Sequence, residues 1–441
     1  MIQIKKYFYN LLYKYISVYC RPNDIVVEID PQNLFIIGRY PKGWTICTSK
    51  ESKEGGLSDD SQSGSGANKS NPAYVLLNGA IHYQRDIQAY LCSIYAYMQP
   101  DSRLIITYYS RLWQPFITLA TLAGLRDKTL EKNWITPDDM VNFLDLADFE
   151  PVLHESKVIF PIYIPLLSNF LNRFVAPLPF FKIFCMVNIV LARPLKFADQ
   201  RQPSVSVIVP ARNEAGNIEN TVKQLPALGP DDELIFIEGN SIDNTWEVIQ
   251  EVKLRYGTTR NIVIGQQDGR GKGDAVRKGF ALASRDILMI LDADLTVPPQ
   301  DLVKFYRAIV DNKGEFINGS RLVYPMEDKA MRFFNIMGNK FFALAFTFVL
   351  GHRFKDTLCG TKVLSRENYL KIESNRSYFG EFDPFGDFDL IFGAVRLGLK
   401  TVEVPINYKE RTYGETNISR WQHGLILLRM LVFAAKKIKF V

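Results

Sequence analysis

The chain has 441 residues, 47% of them hydrophobic and 23% charged, with a formal net charge of +6. That length exceeds one ordinary core and calls for two domains; the charge is too modest to argue for a nucleic-acid partner, yet it suits one that carries phosphate. Five cysteines lie scattered with no Cys-x-x-Cys pair, which argues against a disulfide framework or a zinc site and fits reduced thiols.

In chain order, Met1 to Lys6 holds two lysines but no apolar run before a cleavage site, so no secretory signal is read. Apolar, β-branched runs at 24–29, 73–77 and 103–108 read as strands, and 86–98 reads as a helix. The stretch 48–72 is rich in Ser, Gly, Asp and Lys and cannot repay its ordering entropy, so it is expected to be a disordered loop. A polar stretch, 196–202, flanked by Pro194 and Pro203, marks a linker between a domain over 1–195 and one over 203–420, with 421–441 as a basic amphipathic end.

The second half opens on a buried strand, Val205 to Pro210. Further strands at 233–237, 261–264 and 287–291 alternate with helices at 217–224 and 244–256. This pattern implies right-handed crossovers and a mainly parallel sheet, whose ligands sit at the carboxyl ends of its strands.

Those ends carry polar clusters. Pro210-Ala-Arg212-Asn213-Glu214 opens a helix whose first N–H groups favour an anion. Glu238 to Asp243 offers two carboxylates among small residues, where a base and a ribose could be read. Gly269-Arg-Gly-Lys-Gly273 lets backbone approach a ligand, with Lys272 or Arg270 on phosphate. The run 287–291 leads into Asp292-Ala-Asp294, two carboxylates that can share Mg²⁺ or Mn²⁺ bound to a diphosphate.

These clusters continue with Gly319-Ser-Arg321, Cys359-Gly-Thr-Lys362, Val402-Glu-Val-Pro405 and Arg411-Thr-Tyr-Gly-Glu415. In that order, residues 205–413 resemble the family 2 glycosyltransferases, in particular the dolichyl- and polyprenyl-phosphate sugar synthases. The resemblance implies a GT-A type, Rossmann-like nucleotide-sugar domain in an α/β chain. It implies a metal-dependent transferase that moves a hexose from a GDP- or UDP-hexose to a polyprenyl phosphate with inversion.

By the same resemblance, Pro210, Arg212, Asn213, Glu214, Glu238, Asp243, Lys272 and Arg321 bind the nucleotide sugar. Asp292 and Asp294 hold Mg²⁺ or Mn²⁺ and act in catalysis with Arg411 and Asp389, while Lys362 and Arg411 face the acceptor phosphate. Two positions depart from the family pattern. Thr296 stands where an acid or amide is usual, which leaves the third metal ligand open, and Gly239 replaces a second Asp, which leaves base and sugar open. A phosphate acceptor is already ionised and needs no base. A hydroxyl acceptor is the alternative, with Asp389 as its base, although Asp389 could equally cap the following helix.

The first half resembles a class I methyltransferase core in its strand order. It has Asp30-Pro-Gln-Asn-Leu34 where glycines should let the backbone pass S-adenosylmethionine. A degenerate Rossmann-like domain without that cofactor is therefore expected, and a bifunctional methyltransferase–glycosyltransferase is the lesser alternative. Two apolar stretches, 341–350 and 425–439, are shorter than the ~20 residues a spanning helix needs. The second ends in Lys436, Lys437 and Lys439 and suits a headgroup region, although core packing or a dimer face would also bury both. The expectation is a cytoplasmic protein held peripherally on the inner face of the plasma membrane, with its oligomeric state open.

Overall fold

The computed structural model describes residues 2–21, 24–31, 44–47, 72–124, 133–196, 202–324, 333–376, 386–411, 413 and 420–441. All but the last residue of the expected loop at 48–72 lie outside them. Two compact units emerge, one of Met1–Ala198 with Lys436–Val441 and the other of Asp199–Ala435. The stretch 421–441 is thus divided between the two units.

The first unit holds α1 (Ile2–Ile16), α2 (Ile87–Ile94), α3 (Gln114–Leu122), α4 (Pro137–Leu146) and the single turn α5 (Leu167–Phe170). Its strands are β1 (Val26–Ile29), β2 (Trp44–Cys47), β3 (Tyr74–Asn78), β4 (Arg103–Tyr109), β5 (Phe149–Lys157) and β6 (Val187–Pro194). They order as β2-β1-β3-β4-β6-β5, with the first four parallel and β6 antiparallel to both neighbours. The run Tyr-Val-Leu-Leu-Asn of β3 is buried at every position, as a strand covered on both faces requires. Helix α4 starts where its sequence says it should: Thr136 and Asp139 form a reciprocal capping box and Pro137 takes the first helical position.

The second unit contains β7 (Val205–Ala211), β8 (Asp232–Glu238), β9 (Asn261–Gln266), β10 (Ile287–Ile290), β11 (Phe316–Ser320), β12 (Lys362–Ser365) and β13 (Thr401–Pro405). Its helices are α6 (Ala215–Gln224), α7 (Thr245–Tyr256), α8 (Lys272–Leu282), α9 (Leu302–Val310), α10 (Phe333–Leu350), α11 (Arg366–Glu373), α12 (Asp387–Arg396) and α13 (Arg420–Ala434). The sheet orders as β13-β11-β12-β10-β7-β8-β9, and only β12 runs against its neighbours. This is an α/β fold with a mixed, mainly parallel sheet. Val207, Val209, Phe236, Met289 and Ile317 anchor its core.

The two apolar stretches carry apolar side chains on buried and exposed faces alike. In α10, Phe346 is buried with its ring 5.0 Å from that of Phe388, whereas Phe341 and Leu344 are exposed. In α13, Leu427 and Met430 are buried, and Leu425 and Leu428 are exposed. No helix among the described residues is long and apolar enough to cross a membrane. One charge departs from the expected basic end: Lys439 is buried, and its Nζ meets Glu155 at 2.7 Å. Lys157 meets the same carboxylate at 2.6 Å. A buried carboxylate needs such partners, and these outweigh burial and hold Glu155 far below the usual glutamate range.

Candidate active site

Four of the second sheet's parallel strands, β7 to β10, deliver the clusters anticipated at their ends. After β7 the chain turns through Asn213 at φ 56°, and its Oδ1 accepts the Ile242 N–H at 2.8 Å. This links the β7 and β8 loops. The amide of Glu214 donates to the Thr245 hydroxyl at 3.0 Å, and its Oε2 accepts from Asn217 at 2.7 Å. Pro210 is half-buried and Arg212 exposed at the same corner.

At the β8 end, Glu238 is buried and binds the Ser241 N–H at 2.5 Å and Gln266 at 3.2 Å. One oxygen of Asp243 takes the Thr245 amide, and the other, Oδ2, is buried with no hydrogen-bond partner among the described residues. Gly239 explains its own departure from Asp. A Cβ there would stand 3.2 Å from the Cβ of Arg212.

The β9 loop enters α8 through Gly271 at φ 85°, a conformation that only glycine adopts freely. It delivers Lys272, whose Nζ lies 2.5 Å from Asp292 Oδ1. Two residues on, Asp294 accepts the Thr296 hydroxyl at 2.8 Å on one oxygen and Arg411 at 2.6 Å on the other. Arg411 also stands 3.5 Å from Glu214, so one guanidinium ties the β7 and β10 ends together. Thr296 therefore supports Asp294.

These charges tune one another. Burial opposes the charged form of both Lys272 and Asp292, but each outweighs it for the other; the ammonium is held above its ordinary range and the carboxyl below. Glu214 goes the other way and is pushed up to about 7. Burial is the main cause, the Asn217 hydrogen bond and Arg411 oppose it, and Asp294 and Asp292 add to it.

Two more expected cations stand near enough to help hold the Asp292 carboxyl low. Arg321 forks onto buried Asp356 at 2.7 and 2.9 Å. Lys362 has no exposed surface; it donates to the Cys359 carbonyl and pairs with Asp387 at 3.0 Å. Each of the two cations satisfies a buried carboxylate that would otherwise be too costly to ionise. Asp389 lies in the first turn of α12 but does not cap it, because Gly386 holds the N-cap position. Its carboxylate faces Arg376 at 3.7 Å and Arg277 at 3.9 Å.

Gly360 was missed. A Cβ on it would lie 2.1 Å from Asp292 Oδ2 and 2.2 Å from Lys272 Nζ, so the backbone at Gly360 passes directly over that ion pair. The Cys-Gly-Thr-Lys run was visible, but nothing local says what its glycine faces. Gly386, at φ 73°, similarly lets the start of α12 approach Gly273, where a Cβ would come within 2.7 Å of a Cα. Asp356 and Asp387 were missed as the partners of Arg321 and Lys362.

Residues 206–370, all within the second unit, match the family model described as glycosyl transferase family 2. The chain is 30% identical over 220 residues to a dolichol-phosphate mannosyltransferase of Pyrococcus furiosus, a match covering 48% of this chain and 59% of that protein. It is 27% identical over 246 residues to a UDP-N-acetylglucosamine–dolichyl-phosphate N-acetylglucosaminyltransferase of Methanococcus voltae, over 51% of this chain and 96% of that one. Among solved structures, the glucosyl-3-phosphoglycerate synthase of Mycobacterium tuberculosis, in complex with Mn²⁺ and UDP, aligns with a TM-score of 0.39 and 18% identity. That match covers 54% of this chain and 80% of the other, and it is too distant to bring its ligands here.

Proposed function

We propose that the chain transfers a hexose from a nucleotide-diphosphate sugar to a polyprenyl phosphate at a membrane surface, with inversion. The observation that carries this reading is the pair Asp292 and Asp294 at the end of β10, bracketed by Lys272 from the β9 loop and Arg411 from beyond β13. Relatives whose names specify dolichyl-phosphate acceptors support the acceptor class.

The two carboxylates suit Mg²⁺ or Mn²⁺. Magnesium takes one or two carboxylates plus phosphate oxygens and water, and does not need an all-protein cage. A bound ion would be held by Asp292 and Asp294 and would neutralise charge on the departing diphosphate.

The chain's own groups do the rest. Lys272 and the first amides of α8 offer positive charge where the diphosphate lies, and the unpartnered Oδ2 of Asp243 offers an acceptor to the nucleoside. In this reading Arg411, which joins Asp294 and Glu214, holds an acceptor phosphate behind the anomeric carbon. A phosphate whose second pKa is about 6 is already ionised, so alignment replaces base catalysis and in-line attack inverts the centre.

For the first unit, we infer a methyltransferase-like fold that has lost its cofactor loop. Its strand order, with one antiparallel strand inserted before the last, supports this. The deciding experiment incubates the protein with a panel of radiolabelled nucleotide sugars and with either a polyprenyl phosphate or the corresponding alcohol. Label extracted with lipid only from the phosphate supports the reading; transfer to the alcohol alone overturns it.

A further inference from the structure

Residues 158–186 of the first unit are turned inside out. Through α5 and the wider turn after it, Leu171–Val175, the buried residues are Ser168 and Asn172. Ser168 accepts the Ile164 N–H at 2.5 Å and donates to the Ile162 carbonyl at 2.7 Å. Asn172 binds both the N–H and the carbonyl of Phe160, at 2.9 and 2.7 Å. The polar side chains thus satisfy the segment's backbone from within, and the large apolar side chains are left outside.

Eleven large apolar residues between Ile162 and Phe184 are exposed, and four more lie between Leu112 and Leu122. Leu166 shows the cost. It sits at φ 64°, a strained angle for leucine, with 87% of its surface open. A water-facing surface has no reason to hold an apolar side chain out in this way, and a patch of this extent marks an interaction face.

The charge around the patch identifies the partner. Stretches 2–21, 110–124, 158–186 and 436–441 together contain ten lysines and arginines and no acidic residue, although the whole chain is nearly balanced at 53 to 47. They are joined in space: Tyr7 donates to Asn169 at 3.3 Å, Trp113 to the Phe184 carbonyl at 2.8 Å, and Arg173 to the Phe440 carbonyl at 2.9 Å. Lys6, Lys14, Arg111, Arg173, Lys436 and Lys437 are exposed. An aromatic-rich apolar centre carried on stretches whose charges are all cationic is complementary to the interface of an anionic bilayer.

We propose that this face of the first unit, centred on Leu166 and Phe170, docks the protein on an anionic lipid membrane. The proposal takes from the lipid-phosphate reading only the kind of partner, and its test involves no sugar donor or acceptor, so either can fail alone. The full chain is floated with vesicles of phosphatidylcholine containing phosphatidylglycerol, and with phosphatidylcholine alone, at low and high salt. Three proteins are compared: the unaltered chain, Leu166→Ser with Phe170→Ser, and Leu425→Ser with Leu428→Ser on α13.

The unaltered chain is expected to float with the anionic vesicles and to release as salt rises. The 166/170 variant is expected to partition about tenfold less or weaker still, with an unchanged thermal melt, because both side chains are already exposed. Equal partitioning of that variant overturns the proposal, as does loss confined to the 425/428 variant. So does a chain that ignores vesicles but sediments as a dimer that the 166/170 variant dissociates, because the face would then pair with a second copy.

Discussion

The strand ends of the two sheets invite comparison, because both units are built on parallel strands with helical crossovers. In the second unit these ends carry the charged residues Glu214, Glu238, Asp243, Lys272, Asp292 and Asp294, and Asp243 keeps a buried oxygen with no hydrogen-bond partner among the described residues. In the first, the same places are closed by packing. His82, after β3, is buried with its rings stacked on Tyr109; its Nε2 accepts the Tyr109 N–H at 2.8 Å and its Nδ1 faces the Asn133 carbonyl at 2.6 Å. Asn78 takes the Thr107 hydroxyl at 2.7 Å, and Tyr90 donates to Asp30 at 3.2 Å. The architecture offers a crevice in either case, but only charge converging on it makes a site.

The sharpest break in that comparison is Asp292→Asn. Transfer should fall about a thousandfold while the fold, followed by circular dichroism, persists; Asp30→Asn in the first unit should leave transfer unchanged. Wild-type rates in Asp292→Asn, or full activity in excess chelator, would remove the metal assignment.

Gly360→Ala should cost about a hundredfold, because its methyl group must displace Asp292 from Lys272. Gly338→Ala in α10, where a Cβ meets nothing within 4 Å, should be neutral or slightly stabilising. Comparable rates in the two variants would mean that the backbone at Gly360 yields.

With a polyprenyl phosphate as acceptor, Arg411→Ala is expected to slow transfer by tens of fold and Asp389→Asn by much less. The reverse order, measured as initial rates, would transfer the chemistry to a hydroxyl acceptor.

A smaller effect concerns pH. Glu214 has its pKa raised from 4.5 to about 7, so the folded state keeps a proton that the unfolded chain releases. Stability is therefore lost as pH rises from about 4.5 to about 7, and melting temperatures of Glu214→Gln should fall less over that window. The smallest effect is none at all. Titrating the full chain with millimolar S-adenosylmethionine should release no heat, and saturable binding would put a cofactor site back into the first unit.

What could be read in advance follows the range of the interactions. Strands such as 205–211 and 287–290, and the clusters after them, are local patterns of buried runs followed by Gly, Asn and Asp, so they were visible. The reversal of β12 was not, because it depends on pairing with β10 and β11, far off in the chain. The partners of Lys362 and Arg321 were not legible either, because a sequence shows a charge without its partner; Asp387 and Asp356 come to them from other parts of the chain. For the segment 158–186, the inward placement of Ser168 and Asn172 shows which way it faces, and nothing in the local pattern signals it.

The return of Lys436–Val441 to the first unit makes the second unit an insertion, joined to the first at both of its ends. A protease that cuts once at 197–201 would leave two fragments that still travel together, since Lys439 and Phe440 remain docked beside Glu155 and Arg173. Separating the units takes two cuts.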